Sequence, residues 1–266
     1  MNRIVESFNR LRRSQKKGFI VYIGAGDPDL AATQRLAVAL AEVGVDILEL
    51  GVPFSDPLAD GIVNQLAAQR GLQSGTTPAK ILKMITELRR SCSIPIVLYV
   101  YFNLLHRYPL DRFIRDAAAA GVDGLLVLDL PPEESENYET LMRDAALCVI
   151  YLVAPTTPEE RIGLIVPRGT GFIYYVSREG VTGMQEKMAE SIGQRVAAIR
   201  AHTDLPVAVG FGVSTPEQAR AVATHADAVV VGSAVVNQIA RHGQAPDLVE
   251  RVSSFVKLLS EAVKNA

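Results

Sequence analysis

A chain of 266 residues, 48% hydrophobic and 21% charged, carries enough apolar material for one sizeable core, and its formal net charge of −2 offers no broad basic face for nucleic acid. Charges interrupt every apolar stretch well short of the ~18 residues of a membrane span, and the opening MNRIVESFNRLRRSQKK lacks the apolar centre of a secretory signal. The only two cysteines, Cys92 and Cys148, stand far apart without metal spacing, so the expectation is a cytoplasmic α/β protein with no metal, membrane or nucleic-acid partner.

In chain order, residues 4–15 read as an amphipathic helix, and its basic cluster of Arg10, Arg12, Arg13, Lys16 and Lys17 reads as the solvated face of a helix closing the bottom of the fold. Short apolar, β-branched runs follow at residues 19–23, 46–50, 94–100, 123–129, 148–153, 171–176, 206–210 and 227–231. Segments with helical periodicity lie between them, at 31–43, 78–90, 111–120, 132–145 and 216–224. Strand and helix candidates alternate as in a (β/α)₈ TIM barrel, and no linker-like stretch divides residues 1–266 into more than one domain. A weak repeat agrees: Gly44-Val45-Asp46 and Gly121-Val122-Asp123 each precede an apolar strand, with Ala226-Asp227 as a looser third copy. In the first two copies the glycine can end the helix in a left-handed conformation.

Active groups of such barrels sit at the C-terminal ends of strands and in the loops beyond them. Glu49 is the oddity there, a carboxyl group near the end of a strand otherwise made of Ile and Leu. Buried, it would have a raised pKa and suit general acid–base work; turned to solvent, it would be an ordinary strand end. The following loop, 51–61, holds two prolines and two carboxylates, of which Asp60 can act as a second acid–base group beside Glu49, or Asp56 and Asp60 can both simply form turns. Glycines in Gly210-Phe211-Gly212 and in Gly232-Ser233, after the seventh and eighth strands, fit a phosphate cradle completed by the helix that starts near Ser233. Gly180-Val181-Thr182-Gly183 can add further donors, and the polar stretch 177–189 reads as a lid. The four histidines do not cluster with acids at ligand spacing, so metal catalysis finds no support.

Several stretches resemble one family, the tryptophan synthase α subunit: Ala25-Gly26-Asp27-Pro28, ELGVPFSDPLADG from Glu49 to Gly61, Ala154-Pro155-Thr156-Thr157-Pro158, Ser177-Arg178, Gly180-Val181-Thr182-Gly183, Gly210-Phe211-Gly212 and Gly232-Ser233-Ala234. The resemblance implies a TIM barrel that cleaves indole-3-glycerol phosphate to indole and glyceraldehyde 3-phosphate. It implies Glu49 as principal acid–base and Asp60 as second carboxylate. It further implies phosphate donors on Gly183, Gly212, Gly232 and Ser233, a ring pocket on Tyr22, Leu126 and Tyr174, and Thr182 as the lid residue bonding Asp60. No cofactor is implied in this chain, pyridoxal phosphate belonging to a partner β subunit in an α₂β₂ complex. That contact is expected through the loops beyond Gly51, near residues 102–108 and around Pro131-Pro132, with Leu104 and Leu105 as exposed apolar residues. Gly24, Ile62, Asn64, Leu128 and Glu179 depart from the family's common residues, and Asn64 is expected near the ring pocket. A stand-alone lyase, a regulatory α-like protein and another phosphate-binding barrel are the other readings.

Overall fold

The foot of a parallel strand leaves backbone groups that need partners, and in this chain the repeated aspartates supply them. The computed structural model describes residues 1–177 and 185–266, the side chains of 185–190 and 211 excepted. Its strands β1 (Gly18–Gly24), β2 (Ile47–Gly51), β3 (Ile96–Val100), β4 (Gly124–Val127), β5 (Cys148–Val153), β6 (Ile173–Ser177), β7 (Val207–Phe211) and β8 (Ala228–Val231) are parallel and pair in chain order. Pairing of β8 with β1 closes the barrel. At the foot of β2, Asp46 Oδ2 accepts from the Phe19 N–H at 2.8 Å; at β4, Asp123 Oδ2 accepts from Ile96 N–H at 2.8 Å; at β8, Asp227 Oδ2 accepts from Val207 N–H at 2.9 Å. Each aspartate thus fastens its strand to the one before it, which is the physical content of the repeat. Gly44 and Gly121 precede two of these strands with φ of +95° and +92°, the left-handed turn expected of them.

Strand periodicity sorts the core into two layers. Phe19, Leu48, Leu98, Leu125, Val149, Ile173, Val207 and Val229 face outward to the helices, whereas Ile20, Ile47, Val97, Leu126, Ile150, Phe172, Ala208 and Val230 fill the barrel. The N-terminal helix Arg3–Arg13 adds Ile4, Phe8 and Leu11 to that interior layer, with the Phe8 ring 5.7 Å from Phe172, and so closes the bottom as expected. Its cations do more than face solvent. Arg3 Nη1 bonds Asp123 Oδ1 at 2.8 Å, Arg10 Nη2 bonds Asp46 Oδ1 at 3.3 Å, and Arg12 Nη2 reaches the Asp204 carbonyl at 3.5 Å.

Several elements differ from the periodicity. The span 132–145 divides into a 3₁₀ turn, Pro132–Glu134, and a helix, Glu136–Asp144, at Ser135, whose hydroxyl bonds the Pro132 carbonyl, Glu139 and Tyr151. Helices not singled out by pattern are Ile62–Gln73, Phe102–Arg107, Glu159–Ile165, Gln185–Arg200, whose first residues fall within the stretch read as a lid, and Leu248–Lys264. The first matters most, because it follows the loop carrying Asp60. It buries only Ala67 and Gly71, so small residues rather than an apolar stripe mark its inner face.

Asp123 serves three donors: Ile96 N–H, Arg3 and Arg89, the last only 11% exposed. Asp123→Ala leaves a strand N–H without its acceptor and a shielded guanidinium, held otherwise by the Gly121, Cys92 and Ile94 carbonyls, without its counter-charge, and is expected to cost about 3–5 kcal/mol in urea unfolding followed by circular dichroism. A loss below about 1 kcal/mol would contradict this role.

Candidate functional site

The parity of β2 decides the site. With Ile47 inside the barrel and Leu48 and Leu50 among the helices, Glu49 must point inward. It is 2% exposed and lines a cavity of about 680 Å³ at the C-terminal end of the barrel. Neither carboxyl oxygen has a hydrogen-bond partner among the described residues. Burial first, and the negative charge of Asp60 second, raise the pKa of Glu49 to about 8. At neutral pH the group is therefore a carboxylic acid with a proton to give, and the solvent-facing alternative is overturned.

Asp60 is reached through the loop after β2. Turns closed by Leu58 N–H on the Asp56 carbonyl and by Asp60 N–H on the Pro57 carbonyl fold it back over the barrel. Ala59 N–H donates to Tyr101 Oη at 3.0 Å, fixing the loop to the residue after β3. The Asp60 side chain enters the cavity, where Oδ1 accepts from Tyr99 Oη and Oδ2 from Tyr101 Oη, both at 2.8 Å. Asp56 instead is exposed and bonds its neighbour Ser55 at 2.6 Å. Of the two loop aspartates, only Asp60 is more than a turn former.

Tyr22 and Tyr174 also line the cavity, and the Tyr22 ring meets Tyr99 edge-on at 5.1 Å. Glycines make room for both phenols: a Cβ on Gly51 would lie 2.2 Å from Tyr22 Oη, and one on Gly210 would lie 2.6 Å from Tyr174 Oη. Burial raises the pKa of Tyr22 and Tyr174 well above the usual phenol value, with Asp60 the next contributor at Tyr22 and Glu49 at Tyr174, so both remain neutral. Gly212, Gly232 and Ser233 border the same cavity. Ser233 opens the helix Ser233–His242 behind Gly232, which has no side-chain cap, so the positive end of that helix faces the space.

The structure departs from expectation at Leu126 and in the helix Phe102–Arg107. Leu126 is not among the cavity-lining residues; it packs in the barrel interior two residues nearer the bottom, and Leu128, with the same inward parity, takes the wall position. Leu105 is fully buried and Leu104 half-buried against the outer core, because the helix Phe102–Arg107 turns them inward, so neither is an exposed apolar residue. The exposed ones near the cavity rim are Leu58, Ile62 and Leu66, 92%, 65% and 46% exposed. Thr182, Gly183 and Glu179 lie outside the described residues, as does most of the expected lid. Tyr99 and Tyr101 are the functional neighbours that pattern reading passed over, since tyrosine in an apolar strand reads as core. Asn64, flagged as a departure, does border the cavity beside Asp60.

Comparison with known proteins gives one consistent result. The family model described as tryptophan synthase alpha chain matches residues 8–264. The chain is 52% identical over 247 residues to the tryptophan synthase alpha chain of Opitutus terrae, covering 93% of each. It is 49% identical over 265 residues to that of Geobacter sulfurreducens, with both covered in full. Among solved structures it is similar to tryptophan synthase subunit alpha from Legionella pneumophila, with a TM-score of 0.92, 36% identity and full coverage of both chains. A chain of the open form of tryptophan synthase from M. tuberculosis superposes with a TM-score of 0.89 at 31% identity, covering 99% of each.

Glu49 keeps its proton to about pH 8 when folded, against about 4.5 as a free side chain, so the folded state binds more protons and loses stability as pH rises through that window. Glu49→Gln, neutral throughout, is expected to be increasingly more stable than the unsubstituted protein as pH climbs from about 5 to about 8, by several kcal/mol at the upper end. Urea unfolding at the two ends of the window checks this; a pH-independent difference would contradict it.

Proposed function

The chain belongs to the tryptophan synthase alpha chain family and serves as the α subunit in tryptophan biosynthesis, and from that premise we propose that it is the lyase that cleaves indole-3-glycerol phosphate to indole and glyceraldehyde 3-phosphate. The observation that carries this reading is the pairing in one cavity of a buried Glu49, without a hydrogen-bond partner among the described residues, with a hydrogen-bonded Asp60. Breaking the bond between indole C3 and the glycerol chain needs a proton on C3 and removal of the proton from the hydroxyl on the carbon that becomes the aldehyde. Glu49 gives its proton to C3, forming an indolenine-like cation. As a carboxylate it then takes the hydroxyl proton, the oxygen's electron pair forms the aldehyde C=O, and the breaking C–C pair restores the indole ring. Glu49 ends as it began, and Asp60, at the ring N–H, stabilises the positive charge in between.

The phosphate end of the substrate fits the free helix terminus at Gly232 and Ser233 with Gly212 beside it. Gly183 and the lid residue Thr182 complete this assignment on the family resemblance, as do Tyr22 and Tyr174 for the indole. One carboxyl group carries the proton both ways, so the scheme calls for no cofactor in this chain; pyridoxal phosphate is assigned to the partner β subunit. An α₂β₂ complex in the cytoplasm is part of the same proposal, and the exposed Leu58, Ile62 and Leu66 on and after the β2 loop support docking on that side.

The test is indole release from indole-3-glycerol phosphate by the purified chain, with and without a β subunit. Slow release that rises severalfold or more with the partner is expected, with Glu49→Gln reducing it about 10²–10⁴-fold. Fast release independent of the partner would mark a stand-alone lyase, and no release in either condition would overturn the catalytic assignment.

A further inference from the structure

The carboxylate of Asp60 has an unequal pair of oxygens. Oδ1 accepts from Tyr99 Oη at 2.8 Å and faces Asn64 Nδ2 at 3.5 Å, the long limit of a hydrogen bond, whereas among the described residues Oδ2 has only Tyr101 Oη at 2.8 Å. Each carboxylate oxygen offers two lone-pair directions, so among the described residues Oδ1 meets two donors and Oδ2 one. We propose, on the reading of Asp60 as the second catalytic carboxylate, that Tyr99 and Asn64 are positioning residues that hold Asp60 from within the barrel, with Oδ2 turned toward the substrate's ring N–H.

Both donors are themselves fixed. Tyr99 projects inward from β3, and its ring rests edge-on against Tyr22 at 5.1 Å with an interplanar angle of 70°, which sets the direction of its hydroxyl. Desolvation, and then the Asp60 charge, raise the Tyr99 pKa well above the ordinary phenol value, so the group stays a donor at all working pH. Asn64 stands in the first turn of the helix Ile62–Gln73, directly after the Asp60 loop. The last turns of that helix are tied down by Arg70, whose Nε and Nη2 bond the two oxygens of buried Asp27 at 2.7 Å each. The Asn64 amide can point only one way: exchanging its ends would set its oxygen against the Asp60 carboxylate. In the orientation present, Oδ1 of Asn64 is buried without a partner among the described residues. An unpaired buried acceptor is unfavourable for folding, and here it is the consequence of directing the amide's donor end to Asp60.

The experiment is a double-mutant cycle on steady-state indole release from indole-3-glycerol phosphate, measured in the complex with the β subunit. Tyr99→Phe and Asn64→Leu are compared in the unsubstituted and Asp60→Asn backgrounds. Tyr99→Phe is expected to lower kcat about tenfold with KM changed less than about twofold, as suits loss of a hydrogen bond to a charged group. Asn64→Leu, at its longer distance, is expected to lower kcat about threefold. In the Asp60→Asn background each change is expected to cost less than about twofold, because residues that act through Asp60 have nothing further to lose. Equal losses in both backgrounds, or no loss in the unsubstituted one, would overturn the proposal. Should Tyr99→Phe fail to fold by circular dichroism, the same comparison on Asn64→Leu decides. Undiminished activity of Asp60→Asn would overturn the assignment of Asp60 itself, and the proposal with it.

Discussion

The site depends on one constraint: Glu49 is buried in the mouth of a barrel, and no described residue offers its carboxyl group a hydrogen bond. An ionised carboxylate there is unfavourable by several kcal/mol, so the group keeps its proton where most carboxyls have lost theirs. The surroundings maintain that state. Gly51 lets Tyr22 close over the space beside it, the phenols around it stay neutral, and the charge on Asp60 opposes a second negative charge in the same cavity. The two carboxyl groups are chemically similar and differ in their neighbours. Asp60 has two phenols and an amide aimed at it, and Glu49 has no such donor among the described residues. That asymmetry divides the work between a proton carrier and a charge stabiliser.

The two ends of the barrel spend their polar residues differently. At the bottom, Asp46, Asp123 and Asp227 are consumed by strand N–H groups and by Arg3, Arg10, Arg89 and Arg200, so each of these carboxylates is answered, and the end is sealed by the N-terminal helix. At the top, the Glu49 carboxyl group borders the cavity without a partner among the described residues, and glycines replace side chains along its rim. Satisfied groups hold the strands in register, and the unsatisfied ones are free to meet a substrate. Such a division lets the mouth carry an energetically unfavourable arrangement on a rigid base.

Much of this was legible in the chain. Alternating strand and helix patterns predicted the barrel, the Gly-Val-Asp repeat marked the strand feet, and a lone acid in the run Ile47-Leu48-Glu49-Leu50 stood out because nothing else in that strand is polar. What stayed hidden was depth and direction. Period two gives Leu126 and Leu128 the same face, and only the three-dimensional stagger puts Leu128 at the wall and Leu126 below it. The helix Ile62–Gln73 is inverted relative to an ordinary amphipathic helix, packing Ala67 and Gly71 inward while Ile62 and Leu66 face out, so its pattern misleads. Tyr99 and Tyr101 look like core residues in sequence, and their role appears only when the loop after β2 brings Asp60 over them, across about 40 residues of chain.

The central claim, that burial makes Glu49 an acid at neutral pH, is tested most directly by a carbon-13 NMR titration of its side-chain carboxyl, assigned by comparison with Glu49→Gln. The account predicts a midpoint near pH 8, moving downward when Asp60→Asn removes the neighbouring charge. A midpoint near 4.5, the ordinary glutamate value, would contradict it.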